Sequence, residues 1–531
     1  MKVKLLRTMI IGTTVVLLIA FSMISIFAAP GTPEWVVDEN GNLTVDGEIF
    51  HVKGGSWFGL EGRHEPSDDP DNPSGAPMEL FMGNVFWNSS DRTHDSDIAE
   101  FIDMGFNLVR IPIAPQTLDP NDPQAQAEYK KNTESVRYDT SYDELVDVIK
   151  KLDAAGMYVL LDVHSCSNYV GWRSGRFDAR PPYVDNTREN YDFMREDCSC
   201  AAGDSVENVQ PYDKSAWLND LETLAGLSEE LGVDNIMGID IFNEPWDYSW
   251  DEWKGHIESA YDTISSVDPN ILIFAQGISA SSGNQDGSPD SITETPHGDL
   301  DTNPNWGENF YEAGDNPPDV PKEKLVFSPH TYGPSVFVQK MFMDPAQPEC
   351  EGLEEEEAAA NECNIVIDPE LLERGWEEHF GYLKDLGYAV VIGEWGGNSE
   401  WPVGAELRKQ DMFGYITDTT VDWQWQQALA NYLIKKGITD NIYWAINPES
   451  GDTGGIYEHA YDPVSNTAGW GSWTGIDQQK LGLLQSIWDA NPPTTDPTSN
   501  PTNSTDTTNS SNPTGTVTAA ITVVNDWGTG G

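Results

Sequence analysis

DMGFNLVRIP, residues 103–112, reads as the end of one helix and the start of a buried strand. Gly105 stands where a helix C-terminus turns left-handed, a conformation that only glycine adopts at little cost. Leu108, Val109 and Ile111 then form an apolar run interrupted by one charge, Arg110. The same phrase recurs as AAGMYVLLDVH (154–164) and DLGYAVVIGE (385–394). Working outward, strand-type runs fall at 50–57, 107–112, 157–164, 237–243, 271–276, 325–330, 389–394 and 441–447. Helical periodicity falls between them at 95–104, 142–155, 215–231, 250–267, 369–386, 421–436 and near 480–488, with only loop-like sequence after 271–276. Strands that alternate with helices and are apolar on both faces belong in a parallel sheet. Eight such units predict an α/β fold, a (β/α)8 TIM barrel, over residues 34–490.

The remainder of the 531 residues frames that domain. Residues 1–29 have a basic start (Lys2, Lys4, Arg7), an uncharged apolar stretch from Met9 to Phe27 and small Ala28-Ala29, the plan of a secretory signal peptide. Its length leaves an uncleaved membrane anchor as the alternative. On either reading the rest is extracellular. Residues 491–515 are Pro, Thr, Ser and Asn with almost nothing apolar, a disordered linker. Residues 516–531 begin a strand-like segment with Val517, Ile521, Val523 and Trp527 and then stop, as the truncated start of a further module would.

A net charge of −59 excludes nucleic acid as a partner, since phosphate binding needs basic patches. It keeps the chain soluble and self-repelling, which suits a monomer in a salty medium where repulsion is screened. Of the five cysteines, Cys350 and Cys363 flank an acidic loop and make a sensible disulfide, while Cys166 has Cys198 or Cys200 as partner. Cys198-Ser199-Cys200 has no histidine nearby in sequence to complete a zinc site.

In a (β/α)8 barrel the reactive groups sit at the C-terminal strand ends. Here those ends carry Arg110, Asp162-Val163-His164, Asn243-Glu244, His330-Thr331-Tyr332, Glu394-Trp395 and Trp444. Carboxylates on the fourth and seventh strands can face each other across the mouth, the minimum equipment for glycoside hydrolysis. Asp162 with His164 is half a metal site and no second histidine cluster completes it, so no metal and no cofactor are expected. SDDPDN (67–72) and GDNPPD (314–319) have calcium-loop composition but in so acidic a chain read first as solvated surface.

NLVRIP, LLDVH, IFNEPWD, SPHTYG, VVIGEWGG and IYWAINPESGDTGGI, in that order at the strand ends, resemble the signature blocks of glycoside hydrolase family 5, retaining (β/α)8 glycosidases, and are most similar to its bacterial and archaeal endo-β-1,4-glucanases. The resemblance covers about residues 50–490 and implies Glu244 as general acid/base, Glu394 as nucleophile and Asn243 on the sugar 2-hydroxyl. It implies Arg110 and Tyr332 as the groups that orient Glu394, His330 beside the acid/base pair, His164 lining the cleavage subsite and Trp444 as a sugar platform. Trp87, Trp172 and Trp246 are candidate stacking residues in loops. The implied activity is a secreted endo-β-1,4-glucanase acting on cellulose, with a mannanase or β-1,3-glucanase as alternative, and a non-catalytic surface carbohydrate-binding protein as the non-enzyme alternative. The segment 516–531 resembles the first strand and Trp of a family 2 carbohydrate-binding module. Two departures from the family pattern, 61–83 and 350–363, are acidic insertions expected on the catalytic face. The charge itself makes one prediction: the folded chain should unfold more readily in low salt than in molar salt, as thermal melts across a salt series would show; equal melting temperatures would contradict it.

Overall fold

The computed structural model describes residues 33–60, 92–113, 115–120, 138–164, 214–245, 248–278, 302, 304, 306–405, 407–448, 450–459 and 473–490. The readings made of the signal segment, the first acidic insertion, Cys166, Cys198, Cys200, Trp87, Trp172, Trp246, SDDPDN, the linker and the C-terminal segment lie outside the described residues.

Three short strands precede the barrel, β1 (Trp35–Val37), β2 (Leu43–Val45) and β3 (Glu48–Ile49), in one antiparallel sheet. The sequence reading places no strand before residue 50. The barrel strands are β4 (Lys53–Ser56), β5 (Leu108–Ile113), β6 (Tyr158–Val163), β7 (Ile236–Asp240), β8 (Leu272–Ala275), β9 (Leu325–Phe327), β10 (Ala389–Val390), β11 (Ile392–Trp395) and β12 (Asn441–Tyr443). Their pairing runs β10-β9-β8-β7-β6-β5-β4-β12-β11, all parallel. Only Val391 separates β10 from β11, so the two are halves of one strand whose halves pair with opposite neighbours. The sheet therefore closes as the eight-stranded barrel that the sequence predicts. β13 (Tyr457–His459) and β14 (Trp473–Ile476) form a separate hairpin after it.

Helices α1 (His94–Met104), α2 (Ser141–Ala154), α3 (Lys214–Ala225), α4 (Leu227–Leu231), α5 (Trp250–Val267), α6 (Glu355–Ala360), α7 (Pro369–Trp376), α8 (Tyr382–Asp385), α9 (Leu407–Phe413), α10 (Val421–Lys436) and α11 (Gln478–Trp488) follow their strands in turn. Side-chain caps fix several starts: Thr93 with Ser96, and Ser249 with Glu252, each form a capping box. Gly105, Gly156 and Gly387 have φ of 101°, 75° and 73°, the left-handed turns that the repeated phrase implies. Two helices depart from expectation. The run 215–231 is broken at Gly226, a poor helix former. The run 369–386 opens into a π-helical turn at Glu377–Gly381, where Glu377 accepts a 2.8 Å hydrogen bond from the Tyr432 hydroxyl.

Period-two alternation splits the apolar residues into two cores. Val109, Ile111, Leu161, Val163, Ile239, Ile241 and Ile273 face the helices. Leu108, Leu160, Met237, Leu272, Phe274, Val326, Val391 and Ile442 fill the barrel together with Trp35, Val37 and Leu43, so the small sheet closes its N-terminal end. The inward positions above that layer are polar: Arg110 follows Leu108, Asp162 follows Leu160, and Gln276 follows Phe274. The barrel floor is thus apolar and its mouth ionic.

The second insertion is not simply an acidic loop. Cys350 and Cys363 are disulfide-bonded, as expected. Between them α6 forms, and Glu355 makes a buried ion pair with Lys409 of α9 at 2.6 Å. In GDNPPD, Asn316 accepts from Lys254 Nζ at 2.6 Å and donates to Asp251 at 2.8 Å, so its amide serves the loop's own attachment to α5.

Gly238 sets a packing limit. A Cβ there would lie 2.5 Å from the Leu272 carbonyl oxygen on the adjoining strand, whereas one at Gly255 in α5 meets nothing within 4 Å. Gly238→Ala should destabilise by about 1–3 kcal/mol through overpacking. Gly255→Ala should stabilise by about 0.5–1 kcal/mol through helix propensity. Denaturant unfolding of both variants beside the parent checks the opposite signs.

Candidate active site

β7 runs out at Asp240, and the chain continues through Ile241 and Phe242 to Asn243 and Glu244 at the mouth. Asn243 N–H still bonds the Val163 carbonyl of β6 at 3.0 Å, so it keeps the strand's register. Glu244 does not: its φ is 46°, left-handed for a residue with a side chain, and its N–H donates to Gln276 Oε1 at 2.7 Å. The sharp turn, followed by Pro245, swings the carboxyl off the strand line and over the mouth. Such strain is characteristic of functional positions.

Glu394 sits in β11, directly across. Tyr332 donates to its Oε2 at 2.6 Å and Arg110 Nη1 donates to its Oε1. His330 Nδ1 lies between the two acids, 3.1 Å from Glu244 Oε1 and 3.5 Å from Glu394 Oε2. One oxygen of each carboxyl and one nitrogen of His330 are within 4.8 Å of one another. Glu244 keeps 23% of its side-chain surface exposed and Glu394 4%, so the first is reachable from the cleft and the second is enclosed.

The electrostatics separate the two acids. Removal from water, and then the negative charge of Glu394, push the Glu244 carboxyl well above its ordinary range. Burial, and then the positive charge of Arg110, hold His330 well below the usual imidazole value, so it is neutral. Burial and the charge of Glu394 raise the Tyr332 hydroxyl, which stays a donor. One carboxyl that keeps its proton beside one served by two donors is the division of labour that acid/base chemistry requires.

Beneath the pair, Arg110 is fully buried. Its Nη2 lies 2.9 Å from Asp162 Oδ2, 3.0 Å from Asp240 Oδ2 and 3.3 Å from Asn243 Oδ1. With Asn243 Oδ1 turned to Arg110, its Nδ2 faces His164 Nε2 at 3.4 Å. His164 Nε2 is then the acceptor, and Nδ1–H donates to Asp162 Oδ2 at 2.8 Å. Asp162, His164 and Glu394 also bring ligand-type atoms within 4.8 Å of one another, but the cation between these acids is already the Arg110 guanidinium. Trp444, half-buried, stacks against Phe58 at 5.2 Å and His164 at 5.7 Å, each at 13°.

The structure thus brings together Arg110, His164, Asn243, Glu244, His330, Tyr332, Glu394 and Trp444. Arg110, which the resemblance implies orients Glu394, is fully buried beneath it and donates to its Oε1. Trp395 is fully buried and donates to Asn441 Oδ1 at 3.1 Å. Sequence reasoning missed Asp240, Gln276, Phe58 and Trp306. Asp240 carried a usable signal, a lone acid between Ile239 and Ile241 inside a buried strand. Trp306, half-buried with φ 59°, approaches Tyr332 edge-on at 6.4 Å from a loop that carries no periodic pattern.

Barrel and site together define a class, enzymes with a pair of close carboxyls at the C-terminal mouth of a (β/α)8 barrel. Family comparison gives it a name: residues 71–450 match the cellulase family, glycosyl hydrolase family 5, and the chain belongs to that family. It is 55% identical over 470 residues to endoglucanase C of Cellvibrio japonicus, covering 87% of this chain and 62% of that protein. It therefore spans less than two thirds of that relative's length. It is 27% identical over 466 residues to the major extracellular endoglucanase of Xanthomonas campestris, covering 86% and 72%. The solved catalytic domain of the Xanthomonas campestris major endoglucanase superposes with a TM-score of 0.54 at 25% identity, over 86% of this chain and 99% of that one. A cellotetraose complex of the endocellulase from Pyrococcus horikoshii superposes with a TM-score of 0.56, over 87% and 100%; at 22% identity this likeness is one of fold.

If the charge of Glu394 contributes to the raised Glu244 proton affinity, Glu394→Gln should lower it towards the ordinary range. Carboxyl NMR titration of Glu244 in both proteins checks this; an unchanged or higher midpoint would contradict the electrostatic account.

Proposed function

We propose that the protein is a retaining endo-β-1,4-glucanase that hydrolyses cellulose and related β-glucans by double displacement. The observation that carries this reading is that one carboxyl oxygen of Glu244 and one of Glu394 lie within 4.8 Å of each other. Retaining glycosidases hold their carboxyls about 5–5.5 Å apart, and inverting ones about 6.5–9.5 Å, to leave room for a water. In this mechanism Glu394 attacks the anomeric carbon while Glu244 gives its proton to the departing glycosidic oxygen. Glu244, now a carboxylate, takes a proton from the incoming water, which releases the sugar from Glu394 with its configuration retained. Asn243 bonds the sugar 2-hydroxyl, His164 and Trp444 line the cleavage subsite, and Trp87, Trp172 and Trp246 stack glucose units further along. Arg110, Tyr332 and His330 position the two acids.

The proposed setting is extracellular. Residues 1–29 serve as a signal peptide, the catalytic domain is 34–490, and 491–515 is a linker to a carbohydrate-binding module of family 2 type that starts at 516. The signal pattern, the linker composition and the naming of the Xanthomonas relative as extracellular support this. The sequence blocks also favour kinship with archaeal members, and the acidic surface a saline habitat.

The discriminating experiment is a substrate panel of carboxymethyl-cellulose, lichenan, mannan, laminarin and xylan, with Glu394→Gln beside the parent. Hydrolysis of carboxymethyl-cellulose and lichenan is expected, with a loss of several orders of magnitude in Glu394→Gln, because the covalent path has no substitute. Preference for mannan or laminarin would replace the cellulase label. Undiminished activity in Glu394→Gln would overturn the nucleophile assignment.

A further inference from the structure

Asp162 and Asp240 lie beneath the catalytic acids and take no part in the displacement. They are register partners on β6 and β7 and both are fully buried. Each sets its Oδ2 within 3.0 Å of the same nitrogen, Arg110 Nη2. Each leaves its Oδ1 sealed from water without a hydrogen-bond partner. Buried polar atoms are rarely left so, because an unmet buried acceptor costs about 1–3 kcal/mol. Two such orphans in neighbouring carboxyls point to a missing hydrogen.

The charge count agrees. The groups bonded to this pair are Arg110 from β5, His164 after β6 and Gln276 after β8; Asn243 and Glu394 share Arg110 with it, and Glu244, His330 and Tyr332 lie one contact further out. His330 is neutral, and with Asn243 Oδ1 turned to Arg110 the His164 Nε2 is an acceptor, which leaves Arg110 as the one permanent cation among them. Against it stand Asp162, Asp240 and Glu394. Were all three ionised, the sealed cluster would hold two uncompensated negative charges. Like carboxylates crowded into one site resolve this by keeping a proton between them. Burial pushes both aspartates upward, in the same direction.

We propose that Asp162 and Asp240 share one proton and act together as positioning residues: as a singly charged pair they hold Arg110 Nη2 and leave Nη1 to Glu394. A doubly charged pair would draw the guanidinium down and away from Glu394. A fully neutral one would leave Arg110 with Glu394 as its sole counter-charge and pair the carboxylate too tightly for it to attack. The consequence for rate rests on Glu394 being the nucleophile; the shared proton does not.

The test uses Glu244→Gln, which removes the other acid proton expected in the cleft. Its infrared spectrum at neutral pH is compared with those of Glu244→Gln/Asp162→Asn and Glu244→Gln/Asp240→Asn. The carbonyl stretch of a buried protonated carboxylic acid should be present in the first and lost in both of the others, because an amide at either position lets the surviving carboxyl ionise. Absence of the band in Glu244→Gln overturns the proposal. So does its survival in either double variant, which would assign the proton to one fixed aspartate. With Glu244 intact, kcat on a soluble β-glucan should fall further in Asp162→Asn/Asp240→Asn than the product of the two single losses, with KM little changed. Multiplicative losses would contradict joint action. Circular dichroism of each variant verifies folding, and the infrared result stands whichever carboxyl attacks the sugar.

Discussion

A guanidinium taken out of water must be surrounded by acceptors, or the desolvation cost of several kcal/mol goes unmet. Arg110 is that guanidinium, and the mouth of the barrel is organised around it. Its two terminal nitrogens divide their bonds between the level of the facing carboxyls, through Glu394, and the level beneath, through Asp162 and Asp240. Removing it would leave three carboxyls in a closed space with no cation. Lysine could not replace it, because a single ammonium cannot serve two levels in fixed directions.

The fold makes this arrangement rigid. Alternation along β5 and β6 puts Arg110 and Asp162 just above an apolar floor of Leu108 and Leu160. Parallel pairing places Asp240 beside Asp162. From that layer hydrogen bonds climb to the mouth: Asp162 to His164 to Asn243 on one side, and Asp240 to Gln276 to the Glu244 backbone on the other. Both branches end on the short stretch Asn243-Glu244, so the orientation of Glu244 is tied to the same centre that orients Glu394. In the proposed mechanism, preorganisation of this kind would stabilise developing charge without rearrangement.

Much of this was legible in the sequence. The barrel could be read because helix C-caps and apolar strands are local signals, and α5 and α10 have the ends that their periodicity implies. The two facing carboxyls could be read because Glu244 and Glu394 end strands where loops would otherwise supply small residues. The supporting layer was less visible. Asp240 looks like an isolated acid until the β6–β7 register sets it beside Asp162, and Gln276 gains its role only through its contacts with Asp240 and Glu244. Register and contact are properties of several segments at once, and no single segment encodes them. The same holds for the small sheet β1–β3, whose strands of two or three residues are too short for a periodic signal.

The central claim is that Glu394 forms a covalent bond to the sugar while Glu244 handles the proton. It is tested most directly by incubating the protein with an activated 2-deoxy-2-fluoro cellobioside, which slows the release of a glycosyl-enzyme, and mapping the modified peptide by mass spectrometry. The account predicts one adduct, on the peptide containing Glu394, and none on Glu394→Gln. A label on Glu244, or turnover that inverts the anomeric centre without any adduct, would contradict it.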